Sequence, residues 1–151
     1  MNRRWVLWII TILWAVMIFA FSGQKAEQSN QTSTTVAKKI VAVAPELTFS
    51  TKAENNVARK VMGAILRKAA HFFLFFAFAI LIQSLLQTYP KLCKYAFLLS
   101  LVICVLYAGV DELHQMSVSG RSARWMDIAI DSVGAFLGLL NVFIVKKLSP
   151  T

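Results

Sequence analysis

Three short stretches of this 151-residue chain hold most of the residues able to do chemistry. Arg67, Lys68 and His71 form the first, Asp111, Glu112, His114 and Gln115 the second, and Arg121, Arg124, Asp127 and Asp131 the third. An imidazole titrates near neutral pH and is tuned by a carboxylate beside it, so His71 and His114, with Glu112, are the candidate acid/base groups. Arg121 and Arg124 each offer a planar fork of donors that stays charged, suited to a phosphate or a carboxylate; contact with lipid headgroups is an equally ordinary role for them. Asp-Glu-x-His is not the zinc-protease pattern His-Glu-x-x-His, and no Cys or His pair has zinc spacing, so neither metal nor cofactor is expected. No serine or cysteine stands in an obvious nucleophile motif, and there is no glycine-rich phosphate loop.

Helical spacing makes the three stretches more than a scatter of charge. Arg67 and His71 are four apart, Asp111 is three and four from His114 and Gln115, and Asp127 and Asp131 are four apart. On a helix each set shares a face. The Asp127/Asp131 face continues through Gly134, Gly138 and Asn141, a small and polar stripe suited to close helix contact. Asp131 stands six residues past Trp125, roughly 9 Å along a helix axis. An unpaired carboxylate near the centre of a bilayer costs about 2.5 to 3.5 kcal/mol, and somewhat less at this depth. Asp131 should therefore face other helices and find Arg67, Lys68 or Arg121, or be protonated. The charges would serve a functional pocket or simply staple helices together.

The elements that must position these groups read as membrane helices. Hydrophobic residues make up 58% of the chain and charged residues 15%, and the mean hydropathy is +0.63. The apolar residues are concentrated in four runs, at about 5–21, 70–88, 95–110 and 125–145, which predicts one all-α membrane domain with four spans. The first run is longer than a typical signal-peptide core and lacks a convincing cleavage site, so it is expected to be a retained anchor. Tyr-Pro-Lys-Leu-Cys-Lys is a short link and makes the second and third spans an antiparallel hairpin. Residues 22–68 form the one long polar region, in which Val36, Ile40, Val43 and Leu47, and again Val57, Val61 and Ile65, fall at helical spacing. Short interfacial helices or a flexible loop both fit it.

Net charge is +9, but the basic residues flank apolar runs, which points to anionic headgroups and away from nucleic acid as a partner. Four spans place both termini on one side, together with the pairs Arg3/Arg4, Lys91/Lys94 and Lys146/Lys147, none accompanied by an acid. The positive-inside tendency then makes the termini cytoplasmic, although ten of the sixteen basic residues fall outside, diluted over longer segments and mixed with all seven acids. All three reactive stretches then lie at the outer face. Cys93 and Cys104 read as free thiols.

These motifs, in this order, resemble the VanZ-like family of small bacterial membrane proteins, named for a protein associated with teicoplanin resistance. The resemblance rests on Phe-Ser-Gly-Gln at 21–24, Arg-Lys-Ala-Ala-His-Phe at 67–72, Asp-Glu-Leu-His-Gln at 111–115, and Gly120-Arg121 followed by Asp127, Asp131 and Gly134. Ser119 stands where the family often has proline, and the long outer loop is not a family marker. The resemblance implies a bacterial envelope protein of the cell membrane. The leading expectation is an outer pocket in which Arg121 and Arg67 position an anionic lipid, a lipid-linked cell-wall precursor or a lipoglycopeptide, with Asp111, Glu112, His114 and Asp131 holding the arginines. An enzyme acting on a lipid headgroup and a structural subunit of a membrane complex are the alternatives.

Overall fold

A computed structural model of the chain describes residues 2–23, 31, 35, 36, 39, 52–118 and 125–148, with backbone alone for 52–60. Among the described residues the fold is all-helical. In chain order the elements are α1 (Arg3–Ser22), α2 (Lys52–Leu86), the short α3 (Pro90–Cys93), α4 (Ala96–Met116) and α5 (Trp125–Leu148). Within them Arg3–Ser22, Val61–Leu86, Ala96–Met116 and Trp125–Leu148 are long and apolar enough to cross a membrane.

Local chemistry sets the ends. The side chain of Asn2 accepts a hydrogen bond from Arg4 N at 3.3 Å and caps the start of α1, while the Gly23 N–H closes its last turn onto Phe19 O at 2.9 Å. After α2, Pro90 opens α3 at a position where its missing N–H costs nothing, and the short link returns the chain as α4.

Two boundaries differ from the hydropathy reading. The amphipathic segment with Val57, Val61 and Ile65 is not a separate interfacial helix; it is the start of α2, which runs unbroken through Arg67 and Lys68. Charge interrupts a hydropathy window, but arginine and lysine are good helix formers and leave the backbone ladder intact. Likewise α4 continues past residue 110 to Met116, so Asp111 to Gln115 are all helical. Of the other amphipathic segment, Gln31, Thr35, Val36 and Lys39 are helical, and Ile40, Val43 and Leu47 lie outside the described residues.

Helix α2 is the hub and packs against α1, α4 and α5. Its Phe75, Phe78, Ala79 and Ile82, at spacings of three and four, form the core with Ile18, Cys104, Ala108, Ala135 and Leu139. The most extensive contact is α2 on α5. It depends on small residues, because a Cβ at Gly134 would strike the Phe72 carbonyl oxygen and one at Gly138 that of Phe76. Outward, Leu13, Phe73, Leu106, Leu113 and Phe143 are exposed, as expected of helices whose outer surface meets lipid.

Candidate functional site

The antiparallel order of the helices brings the end of α1, the first third of the α2 span, the end of α4 and the start of α5 to one end of the bundle. Each supplies polar groups. Lys68 on α2 pairs with Asp127 on α5, Nζ to Oδ1 at 2.8 Å, with side chains 39% and 31% exposed. About one turn deeper, His71 Nδ1 lies 3.7 Å from Asp131 Oδ2, beyond hydrogen-bond length. The two rungs repeat because residues 68 and 71, like 127 and 131, are a turn apart on helices held together at Gly134 and Phe72.

The third rung crosses from α4 to α1. Ser22, fully buried, donates its hydroxyl to Asp111 Oδ2 at 2.7 Å, and Gln115 Nε2 donates to the same oxygen at 3.0 Å and approaches Ser22 Oγ at 3.5 Å. Asp111 is 2% exposed and Asp131 4% exposed, and in each the Oδ1 atom is buried without a hydrogen-bond partner among the described residues. Glu112 is buried as well. One donor atom from each of His71, Asp111 and Asp131 lies within 4.8 Å of the other two.

His71, Asp111, Gln115, Asp127 and Asp131 meet at one end of the bundle, as does Lys68. Asp131 faces the bundle as its cost in lipid requires, but the side chain beside it is His71, while Lys68 goes to Asp127. His114 sits apart from the triad: its ring stacks on Phe19 with centroids 3.8 Å apart and planes 16° from parallel. Glu112 lies one residue from Asp111 on α4, and Arg67 one residue from Lys68 on α2. Arg121 and Arg124, expected to grip an anion, lie outside the described residues.

Sequence reasoning missed Ser22. Its signal was present in Phe-Ser-Gly-Gln, where a small hydroxyl ends an apolar span one helix away from an acid. His71, Asp111 and Asp131 were expected in one outer cluster, but their approach to within 4.8 Å of one another was not, since they come from three helices and no local spacing links them.

This cluster can hold a cation between its carboxylates, exchange a proton between imidazole and carboxylate, or present charge to a polar headgroup. Comparison with curated proteins and with solved structures gives no match. The VanZ/LLP1 family model matches residues 7–146, which takes in Ser22 and all three polar stretches. With four helices among its described residues long and apolar enough to cross a membrane, this protein belongs to the VanZ/LLP1 family.

Proposed function

We propose that this VanZ-family membrane protein holds the anionic headgroup of a membrane amphiphile at the polar end of its bundle, on the outer leaflet. The chemistry sought is a phosphate or carboxylate carried on an acyl-anchored molecule, as in an anionic phospholipid, a lipid-linked cell-wall precursor or a lipoglycopeptide such as teicoplanin. The observation that carries the reading is the convergence of polar side chains from all four long helices at one end, where Asp127 holds Lys68 as a donor to an anion and where buried Asp111 and Asp131 each keep, among the described residues, an oxygen open to a cationic partner and not to the headgroup itself. Acids that only brace helices are best served when their lone pairs are used within the bundle.

Lys68 and Arg67 add positive charge beside the cluster, and Arg121 and Arg124 follow in sequence just before α5. Phe73, Leu113 and Trp125 are exposed near the same end and offer acyl chains an apolar flank. The basic pairs at residues 3/4, 91/94 and 146/147 fall toward the opposite end, which the positive-inside tendency makes cytoplasmic. A second reading, acid/base chemistry on the bound headgroup, rests on the approach of His71 to Asp131.

The test combines alanine variants at His71, Glu112, His114, Arg121 and Asp131 with envelope lipid profiles, teicoplanin susceptibility and retention of phosphatidylglycerol by the purified protein. Loss of retention in Arg121→Ala and Asp131→Ala by about tenfold, near 1.4 kcal/mol, is expected. A lipid species that disappears only in His71→Ala would favour chemistry over binding. Folded variants that match wild type in all three assays would leave the cluster as a brace. Labelling of Ser119→Cys from outside intact cells checks the orientation.

A further inference from the structure

We infer that His71, Asp111 and Asp131 form a binding site for one divalent first-row transition ion, Zn²⁺ or Mn²⁺. The three residues come from α2, α4 and α5 and offer one nitrogen and two carboxylate oxygens within 4.8 Å of one another. A tetrahedral ion with bonds near 2.0–2.1 Å holds its ligand atoms about 3.3 Å apart, so modest side-chain rotation closes the set. One imidazole with two carboxylates suits zinc or manganese better than calcium or magnesium, which favour oxygen throughout.

Beyond the grouping of the three side chains, the buried acids themselves point to a ligand at this place. Asp111 and Asp131 are both more than nine-tenths buried, and each keeps an oxygen with no hydrogen bond. Among the described residues the other buried side-chain atoms without partners are Arg4 Nε, Gln83 Oε1 and Ser100 Oγ, none of them on an acid, so that of these atoms the two anionic ones stand together here. The hydrogen bonds of Asp111 agree with this. Ser22 and Gln115 both donate to Oδ2, fixing the group while Oδ1 stays open, the usual role of residues behind a metal ligand.

An ion here would balance two carboxylates inside an apolar bundle, and three protein ligands leave coordination positions open. Those positions give an otherwise acid-rich cluster a means to take a headgroup phosphate or carboxylate oxygen. In that role, though not in binding the ion, the inference rests on the headgroup reading above. Ser22 is then a positioning residue that acts through Asp111.

The experiment uses the full-length protein carrying Cys93→Ser, which removes the exposed thiol as a zinc ligand. Protein stripped with EDTA is equilibrated with Zn²⁺ or Mn²⁺, and metal content, unfolding temperature and retained phosphatidylglycerol are measured. About one ion per chain and an unfolding temperature raised by roughly 4 °C or more are expected. The pair Asp111→Asn/Asp131→Asn should lose the ion, and Ser22→Ala, which keeps all three donors, should weaken it about 10-fold to 100-fold. Ion-free wild-type protein at saturating metal, or equal binding by the double variant, overturns the inference. An ion bound without any phosphatidylglycerol keeps the inference and removes the headgroup reading. Phosphatidylglycerol retained by protein that binds no ion does the reverse.

Discussion

The two ends of the bundle are both polar, and they are polar in opposite ways. At the end where α1 begins, Arg4 Nη2 donates to Thr88 O at 2.8 Å and its guanidinium lies 4.3 Å from the centre of the Tyr89 ring. Trp8 Nε1 donates to Tyr89 Oη at 2.8 Å. These are amphipathic side chains tying α1 to the end of α2 with charge that stays delocalised or partly solvated, an arrangement common at membrane interfaces. Toward that end the buried atoms left without a hydrogen bond among the described residues, Arg4 Nε, Gln83 Oε1 and Ser100 Oγ, belong to neutral groups or to a cation that bonds through Nη2; at the other end they belong to two buried carboxylates, Asp111 and Asp131. An anchoring end needs only to be satisfied by its own chain. An end that leaves buried acids unsatisfied carries a standing cost, and selection tolerates such a cost where something else binds.

If the contrast is real, substitutions at the two ends should differ in kind as well as size. The largest effect is expected from Gly134→Leu, because the close approach to the Phe72 backbone leaves no room for a side chain. Forcing α5 away should cost about 3 kcal/mol, read as a fall in unfolding temperature, and should separate Asp131 from His71. Next, Ser22→Ala removes a buried donor to a carboxylate and should cost about 2 kcal/mol in the metal-free protein, an effect that added Zn²⁺ reduces if the ion takes over the stabilisation of Asp111. At the anchoring end, Trp8→Phe removes one exposed hydrogen bond and should cost about 1 kcal/mol or less. Retention of phosphatidylglycerol should be unchanged by Trp8→Phe; a loss there equal to that of Asp131→Ala would erase the distinction between the ends.

Much of this was readable from residue order. Four spans followed from uninterrupted apolar runs, and the face carrying Asp127, Asp131, Gly134 and Gly138, with its fitness for close helix contact, followed from helical periodicity; that the partner is α2 did not. The start of α2 was not readable, because Arg67 and Lys68 break a hydropathy pattern without breaking a helix. Nor was the pairing. Helical spacing alone allows either Lys68 or His71 to meet either acid of α5, and the relative placement of the two helices assigns Lys68 to Asp127 and His71 to Asp131. Ser22 and Asp111 are 89 residues apart, and their contact depends on α1 and α4 ending at the same height, which no local pattern encodes.

The measurement that decides whether the acid-rich end is a site or a brace is the stability of Asp131→Asn in EDTA, compared with wild type in the same detergent. Relief of a buried, incompletely paired charge should raise the unfolding temperature by about 2–4 °C, near 1 kcal/mol, while phosphatidylglycerol and Zn²⁺ binding fall. A drop in stability of about 3–5 kcal/mol, the usual consequence of removing one partner from a buried ion pair, with lipid and metal binding unchanged, would show that Asp131 holds the helices together and nothing more.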